Sequence, residues 1–397
     1  MTPQPFRHAT PEDFGALYQY ADAAFDDPAA FDEVYFLGDH TGTFAWRALP
    51  IAQALPNFAG IAVFAVSAEK RTRLAQRLPL QANWGFVDIP ALLARARDRR
   101  VLVLDFNENL GGKNIAARLA AQGVAVRDCL YAMHALGLAH TYQTVREERD
   151  YVVANLARFI ELAERFGDDW SRTTLLARLR TMLTLERRPL IEASFPLNVF
   201  INNFAPQAGL VVGDSEVFID VGAAHGDTVS QFFQTSRGQY RAIHAFEPDA
   251  TNFSALKMLC EFLPEATPYF AGLGEEAAEI DFYEYPENRF GSNFTGSAQA
   301  RVKTRMKIMK LDDVVDEATL VKVDVEGWEA KVLLGGAEVI RKSKPGMTIS
   351  AYHYAHDIPD LLDTVEAIAP YRHVALRHHS PNLFDSQLLF SDRQDFR

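Results

Sequence analysis

Apolar and polar residues alternate in the first third of the chain in a pattern typical of strands that lead into helices. Short apolar runs of strand type lie at residues 34–37, 60–66 and 100–106, and segments with helical spacing follow them. Strands that alternate with helices of about ten residues predict βαβ units and a parallel sheet. We therefore expect residues 1–143 to form a small Rossmann-like α/β domain.

The hydrophobic pattern changes to a helical period between residues 144 and 200. Apolar positions at helical spacing run through 146–166 and 170–185, and Pro189 is expected to end the second helix. These features predict a helical pair that links two α/β domains.

Strand–helix alternation resumes at Val217, within a predicted second domain at 201–397. Five apolar runs predict strands at 217–221, 242–246, 267–273, 320–325 and 346–352, with a helix at 358–368. Two last strand-like runs, 373–377 and 387–390, are joined by a short loop, which predicts an antiparallel hairpin at the sheet edge. The predicted fold class is therefore α/β.

The first strand of this domain leads into a glycine-bounded loop, D-V-G-A-A-H-G, from Asp220 to Gly226. Ligands of doubly wound sheets lie beyond the carboxyl ends of the strands, where glycines let the backbone approach them. The loop reads G-x-x-x-G, with Ala223 and Ala224 after its first glycine. The G-x-G-x-x-G fingerprint of dinucleotide-binding loops is therefore incomplete. Asp220 would also repel a pyrophosphate, so the loop suits a cation or an ammonium group better.

Glu247 follows the next predicted strand and can accept hydrogen bonds from both hydroxyls of a ribose. An acidic loop and a ribose-binding acid without a phosphate cradle fit S-adenosylmethionine, which combines adenosine, a sulfonium cation and an amino acid group. The alternative is a strand–turn–helix unit that binds nothing.

The segment K-V-D-V-E-G-W-E at 322–329 places three carboxylates after the fourth strand. Glu326 and Glu329 are ordinary acids for the first turn of a helix, where they stabilise the helix dipole. Asp324 follows directly on a buried strand, where an unpaired carboxylate is costly. A functional partner is therefore expected for Asp324.

Several separated motifs in the right order resemble the FkbM family of S-adenosylmethionine-dependent methyltransferases over residues 144–391. They are E-V-F-I-D-V-G-A-A-H-G-D-T, H-A-F-E-P-D, G-L-G-E, V-K-V-D-V-E-G-W-E-A-K-V-L-L-G-G-A, K-P-G-M-T-I-S-A-Y-H and L-R-H-H-S. The resemblance implies a class I methyltransferase domain with a seven-stranded sheet and an antiparallel edge hairpin. It also implies methyl transfer to oxygen, commonly a hydroxyl of a sugar or secondary metabolite. The segment D-D-W-S-R resembles the linker of two-domain members.

The resemblance also suggests roles for individual residues. Asp220, Gly222 and Gly226 would line the methionine end of the cofactor, and Glu247 would hold the ribose. Leu273 would pass near the adenine, and Asp324 would face the methionine amino group or the acceptor. The predicted cofactor-binding residues are Asp220, Gly222, Ala223, His225, Gly226, Glu247, Leu273 and Asp324.

Methyl transfer to a hydroxyl also requires the removal of one proton. The candidate bases are His353, His225, Asp324 and Glu326. His353 is preferred, because it ends the fifth strand beside Asp324 and a neutral imidazole accepts a proton near pH 7. A structural or solvated His353 is the open alternative, and the predicted catalytic set is His353, Asp324 and Glu326.

Two further features leave alternatives open. Asp324, Glu326 and His353 also suit Mg²⁺, but metal-free catalysis is expected. His378 and His379 line either an acceptor pocket or a simple hairpin turn.

The predicted N-terminal domain carries two weak signals for a ligand. Its loop at 38–42 is a lone G-x-x-x-G, while the segment 111–114 at a helix start can hold an anion. The domain therefore either binds part of the acceptor, such as a nucleotide-linked sugar, or is a scaffold that packs or dimerises. The scaffold is the favoured alternative.

Composition limits the function classes. The 397 residues carry a net charge of −12, which argues against broad nucleic-acid binding. The two cysteines fit a reducing cytoplasm, and no apolar run reaches the ~18 residues of a membrane helix. We expect a cytoplasmic enzyme with a small-molecule acceptor, as a possible homodimer. A nicotinamide-dependent oxidoreductase and a non-catalytic cofactor-sensing protein are the alternatives.

Overall fold

The structure is a computed structural model. It describes residues 8–38, 44–63, 85–139, 142–194, 203–204, 209–284, 293–294, 302–393 and 395–396. The predicted helix within 69–78 and residues 39–42 of the N-terminal glycine loop lie outside these ranges.

The N-terminal part contains a five-stranded parallel sheet. Its strands are β1 (Glu33–Leu37), β2 (Phe58–Val63), β3 (Gly85–Asp88), β4 (Val101–Asp105) and β5 (Ala125–Asp128). The order β3-β2-β1-β4-β5 is that of a Rossmann fold, as the sequence predicted. The sequence pattern missed β3 and β5, because both are short, partly exposed edge strands that lack a continuous apolar run.

Helices accompany these strands and then dominate the chain up to residue 194. They span Pro11–Gly15, Phe44–Ala54, Ile89–Arg95, Leu110–Ala120, Cys129–Leu136, Val145–Ala154, Leu156–Leu162, Asp169–Thr184 and Arg188–Ser194. The first predicted linker helix is therefore two helices that meet at Asn155. Pro189 lies inside the first turn of a further short helix. N–H groups in a first turn have no acceptor within the helix, so the N–H that proline lacks costs no helical hydrogen bond.

The C-terminal part contains a seven-stranded sheet and a smaller one. The strands are β6 (Val217–Val221), β7 (Ala242–Phe246), β8 (Ala266–Tyr269), β9 (Gly272–Leu273), β10 (Ala278–Glu284), β11 (Val302–Met309), β12 (Leu320–Val323), β13 (Gly346–Ser350), β14 (His373–His378) and β15 (Ser386–Ser391). The large sheet has the order β14-β15-β13-β12-β6-β7-β8, and β15 is antiparallel to both of its neighbours. This is the predicted class I methyltransferase architecture with its antiparallel edge hairpin.

The small sheet, with the order β10-β11-β9, corrects one expectation. The predicted strand at 267–273 divides into β8 and β9, which belong to different sheets. The chain passes from one sheet to the other within this short apolar run, and the hydrophobic pattern does not indicate where it does so.

Five further helices flank the C-terminal sheets. They span Asp227–Thr235, Ala250–Cys260, Glu329–Gly335, Ala337–Ser343 and Asp357–Ile368. Within the part of the chain that the structure describes, no helix has both the length and the hydrophobicity needed to cross a bilayer.

The helical segment packs directly on the C-terminal sheet. Asp168 Oδ1 lies 3.1 Å from Nη1 of Arg377 on β14, and the Arg377 guanidinium carbon lies 4.7 Å from the centroid of the Trp170 ring. Arg377 is fully buried, so the ion pair and the ring compensate its desolvation. The linker therefore belongs to the core beside β14.

Candidate active site

The glycine loop between β6 and the helix Asp227–Thr235 comes very close to the segment after β12. Gly222 has a φ of +74°, and a Cβ atom on it would lie 1.8 Å from the carbonyl oxygen of Asp324. Only glycine fits both the left-handed backbone and this approach. The contact joins the ends of two adjacent parallel strands, and a cavity opens at this edge of the sheet.

The cavity has a volume of about 280 Å³, and its lining combines polar and apolar side chains. The polar ones include Asp227, Glu247, Lys322, Asp324, Glu326, Tyr352, Asp385 and Gln387. The apolar ones include Val221, Phe246, Pro248, Leu273, Phe282 and Phe294. An apolar surface with a few convergent polar groups is typical of a small-molecule site.

Glu247 is held rigidly at the end of β7. Its Oε2 accepts a hydrogen bond from the Ala224 N–H at 2.8 Å, and its Oε1 accepts one from the Asp249 N–H at 2.7 Å. Burial raises the pKa of Glu247 to about 7, although both amide hydrogen bonds lower it. The two oxygens retain further lone pairs, so the carboxylate can still accept hydrogen bonds from two hydroxyl groups of a ligand.

Asp220 does not belong to the cavity lining, although its neighbour on the adjacent strand, Lys322, does. It is fully buried, and its Oδ1 lies 3.3 Å from Nζ of Lys322, its partner across β6 and β12. Burial raises the pKa of Asp220 to about 6, and Lys322 opposes that rise. Lys322 itself lines the cavity and donates a hydrogen bond to the Gly222 carbonyl oxygen at 2.5 Å. Asp220 thus contacts Lys322 next to the cavity, and its predicted contact with the cofactor stays a prediction.

The other loop residues also divide into two groups. Gly222 lines the cavity, whereas Ala223, His225 and Gly226 do not. Ala223 is buried and donates its N–H to the Phe246 carbonyl oxygen, and His225 is exposed. Ala223, His225 and Gly226 therefore belong to the loop without lining the cavity.

His353 lies beneath the cavity among three carboxylates and is 1% exposed. Its Nδ1 lies 3.1 Å from Glu329 Oε1, and its Nε2 lies 3.6 Å from Asp324 Oδ1 and 3.6 Å from Glu326 Oε2. Burial lowers the pKa of His353, but Glu329 and Glu326 outweigh it and raise that pKa well above 6.5. A protonated imidazole has no nitrogen free to accept a proton. The arrangement therefore favours His353 as the cation that balances these acids and does not favour it as the base.

The same cluster contains the atoms most suited to a metal ion in the described chain. Ligand atoms of Asp324, Glu329 and His353 all lie within 4.8 Å of one another. Glu329, however, already accepts the Val325 N–H at 3.0 Å, and both ring nitrogens of His353 face carboxylates. A protonated His353 that bridges these carboxylates accounts for the geometry, and a metal ion is not needed to explain it.

The sequence did not indicate two residues that line the cavity with Asp324. Tyr352 donates its hydroxyl to Asp324 Oδ1 at 3.4 Å, and Asp385 lines the cavity from the loop between β14 and β15. The motif S-A-Y-H contains Tyr352, but its histidine is the more obvious catalytic type. Asp385 has a φ of +69°, and no local pattern marks it as a ligand-facing acid.

The histidines of that hairpin have structural contacts. His378 is buried, with Nδ1 2.7 Å from Ser386 Oγ and Nε2 2.7 Å from the Asn382 carbonyl oxygen. Neither His378 nor His379 lines the cavity. The hairpin-turn alternative thus agrees with their positions.

The N-terminal sheet edge is occupied by the protein's own charges. Lys113 is buried, with Nζ 2.9 Å from Asp105 Oδ2 and 3.0 Å from Glu186 Oε1, and it also contacts Asp128. A Cβ atom on Gly112 would lie 2.3 Å from the side chain of Asn107, so little space is left at this helix start. The anion site predicted at 111–114 is therefore filled by an internal ion-pair network.

Comparison with known proteins agrees with this architecture. The family model for the methyltransferase FkbM domain matches residues 220–372. A crystal structure of methyltransferase FkbM from Methylobacillus flagellatus KT is 23% identical in sequence, with a TM-score of 0.72, over 96% of this chain and 100% of that chain. The structural similarity therefore covers both the N-terminal and the C-terminal parts of the chain. None of the curated proteins compared matches this sequence.

More distant methyltransferase structures overlap only in part. Aeropyrum pernix fibrillarin, solved in complex with natively bound S-adenosyl-L-methionine, is 12% identical, with a TM-score of 0.30, over 50% of this chain and 72% of that one. The family match confirms the resemblance inferred from the motifs. Residues 220–372 are thus similar to the methyltransferase domain of the FkbM type.

Proposed function

We propose that the protein is an S-adenosylmethionine-dependent O-methyltransferase that acts on a hydroxyl of a sugar or secondary metabolite. The observation that carries the proposal is the fixed carboxylate of Glu247, which lines the cavity and keeps lone pairs free for two hydroxyls. A ribose presents such a pair of hydroxyls. The FkbM-type domain match supports the same cofactor.

The charge of the cavity also fits this cofactor. Its described lining contains five carboxylates, from Asp227, Glu247, Asp324, Glu326 and Asp385, and Lys322 as a cation. A negative cavity attracts a sulfonium and an ammonium group and repels a pyrophosphate. This balance disfavours a nicotinamide dinucleotide.

The proposed roles follow from position. Glu247 would bind the ribose, Leu273 would contact the adenine, and Asp324 would face the methionine amino group or the acceptor. Gly222 would allow the loop to approach the cofactor. The remaining predicted loop residues would support that loop from behind.

When bound, the cofactor supplies an activated methyl group and a good leaving group. The chain must then align the acceptor, exclude water and accept one proton. Alignment alone can supply ~7–11 kcal/mol of the barrier. Tyr352, Gln387 and Asn203 add uncharged hydrogen-bonding groups to the lining, which suits a hydroxyl-bearing acceptor.

The boundaries 1–143, 144–200 and 201–397 are our proposal for the domains. We assign the N-terminal domain a supporting role, because its buried network contacts the hairpin of the C-terminal sheet. Arg187 Nη1 and Arg47 Nη1 both donate to Asn382 Oδ1, at 3.0 and 2.9 Å.

Binding is the first test. S-adenosylmethionine and S-adenosylhomocysteine should each stabilise the protein in thermal unfolding, by about 2.7 kcal/mol at a hundred times the Kd. NAD should not. Stabilisation by NAD alone would overturn the proposal.

Product analysis is the second test. Methyl-labelled cofactor should transfer its label to an oxygen of a compound in a panel of methyl glycosides and hydroxylated metabolites, as mass spectrometry would show. Label on nitrogen or carbon would contradict the O-methyltransferase proposal.

A further inference from the structure

The loop between β14 and β15 brings a carboxylate to the cavity that no sequence motif marks. Asp385 and Gln387 line the cavity together with Asp324 and Tyr352. Glu247, the proposed ribose ligand, arises from β7, beyond β13, β12 and β6 in the sheet order. Asp385 therefore belongs to the part of the site where an acceptor would meet the methyl group.

The backbone of Asp385 is held in a conformation that few residues adopt. Its φ is +69°, and its carbonyl oxygen accepts the His379 N–H at 3.0 Å. A non-glycine residue in the left-handed region costs stability, and Asp and Asn tolerate this region best. The surrounding contacts thus place this one carboxylate at the cavity wall.

Residues from the helical linker and the N-terminal domain secure the same hairpin. Arg178 Nη1 donates to the Leu383 carbonyl oxygen at 2.8 Å and to Ser386 Oγ at 2.6 Å. Arg47 and Arg187 both donate to the side chain of Asn382. Three arginines from outside the methyltransferase sheet therefore hold the loop that carries Asp385.

The electrostatic surroundings suit proton transfer. The pKa of Asp385 is raised to about 7, chiefly by burial and then by Asp324 and Glu326, while His353 and the Ser380 hydroxyl oppose the rise. A carboxyl group with a pKa near the working pH exchanges a proton efficiently.

Each of the three acids near Tyr352 accepts a hydrogen bond, and they differ in the donor. Glu326 accepts one from the Tyr142 hydroxyl, Asp324 one from Tyr352 and Asp385 one from the Ser380 side chain. Glu329 and Glu326 raise the pKa of His353 well above 6.5, which disfavours His353 as the base.

Resting on the proposed function, we propose that Asp385 is the catalytic base that takes the proton from the acceptor hydroxyl. The O–H bond breaks, and its proton passes to the carboxylate of Asp385. The acceptor oxygen uses the released electron pair to bond the methyl carbon. The carbon–sulfur bond breaks, and its electron pair stays on sulfur, which becomes a neutral thioether.

The first test needs no acceptor. A carboxylate near the sulfonium favours S-adenosylmethionine over neutral S-adenosylhomocysteine only when it is ionised. If the sulfonium lowers the pKa of Asp385 by about one unit, the affinity ratio of the two ligands rises about fivefold from pH 6 to pH 8. Isothermal titration calorimetry of the wild type and of Asp385→Asn should show this rise and its loss, respectively.

Asn is the matched substitution, because it has the same shape and tolerates the same backbone. An equal rise of the ratio in both proteins would overturn the placement of Asp385 beside the methyl group. Failure of the wild type to bind either ligand would instead refute the proposed function.

Turnover is the second test, with the acceptor found in the glycoside panel. Asp385→Asn should lose about 10²–10⁴-fold in kcat. Its affinity for S-adenosylhomocysteine should stay within threefold of the wild type. Asp363→Asn, the same change on an exposed helix surface, should keep full turnover. Wild-type kcat in Asp385→Asn would exclude Asp385 as the base.

Discussion

The carboxylate of Glu247 accepts the backbone N–H of Ala224 at 2.8 Å, and this hydrogen bond ties the end of β7 to the glycine loop after β6. It orients an acid toward the cavity without using all of its lone pairs. The proposed cofactor site thereby combines two adjacent strand ends.

Cofactor affinity should depend on pH through Glu247. Its pKa is raised to about 7, from 4.5. The protonated carboxyl stabilises the free fold below pH 4.5, and that contribution disappears as the pH rises through 7. Ligand hydroxyls require the ionised form, so affinity for both S-adenosylmethionine and S-adenosylhomocysteine should fall about tenfold from pH 8 to pH 6. Calorimetry across this range checks it.

Glu247→Gln provides the matched variant for that measurement. The glutamine amide has only one oxygen, so its NH₂ group would face one of the two backbone N–H donors and disturb the orientation of the side chain. The affinity for S-adenosylmethionine and S-adenosylhomocysteine should therefore fall at least tenfold. It should also lose its pH dependence, because an amide does not ionise. Glu261→Gln, an exposed change, is the control. A pH dependence that persists in Glu247→Gln would contradict the assignment.

Gly222→Ala should abolish cofactor binding. The new Cβ atom would lie 1.8 Å from the Asp324 carbonyl oxygen, so the ends of β6 and β12 must separate. Gly123→Ala is the control, because Gly123 has a φ of +86° and no atom within 4 Å of the Cβ position. This change measures the cost of a left-handed backbone conformation without a steric clash. Urea unfolding and calorimetry should show about 1–2 kcal/mol lost in the control and a larger loss without binding in Gly222→Ala. Equal effects would exclude the contact as the cause.

His353→Gln should destabilise the protein more at pH 7 than at pH 9. The pKa of His353 is raised well above 6.5, so its charge stabilises the fold fully below pH 6.5 and loses this effect as pH rises through the folded-state pKa. Removing one partner of a buried charged cluster costs about 3–5 kcal/mol.

Urea unfolding of both proteins at pH 7 and pH 9 checks this role of His353. The difference in unfolding free energy should be larger at pH 7. A variant with normal stability and no turnover would restore His353 as the base predicted from the sequence.

Asp128→Asn should destabilise the whole chain. Asp128 is 1% exposed and lies 2.9 Å from Arg187 Nε, and Arg187 and Lys113 hold its pKa well below its usual range. Its ionised form stabilises the fold at and above pH 4, and this contribution is lost as pH falls toward the lowered pKa.

Loss of the Asp128 charge leaves two buried cations without their shared partner, which costs about 3–5 kcal/mol at pH 7. Asp363→Asn removes an exposed ion pair and should cost under about 1 kcal/mol. Equal midpoints in urea would show that the buried network is not a stabilising centre.

The sequence pattern predicted the central strands of both large sheets and the edge hairpin β14–β15, but it missed the edge strands β3 and β5 and the pair β10–β11. β6, β7, β12 and β13 are buried apolar runs, so hydrophobicity alone marks them. The hairpin β10–β11 carries many charges on its solvent face and has no such run. Edge and surface strands depend on pairing partners that a local window does not contain.

By itself, the sequence determined that two α/β sheets form, that Glu247 directly follows β7 and that a glycine loop follows β6. These features are local, because strand burial and backbone permissiveness belong to neighbouring residues. Tertiary structure alone decided that Lys322 pairs with Asp220 and that a hairpin brings Asp385 to the cavity wall. Strand order sets those contacts, and strand order depends on packing between residues far apart in the chain.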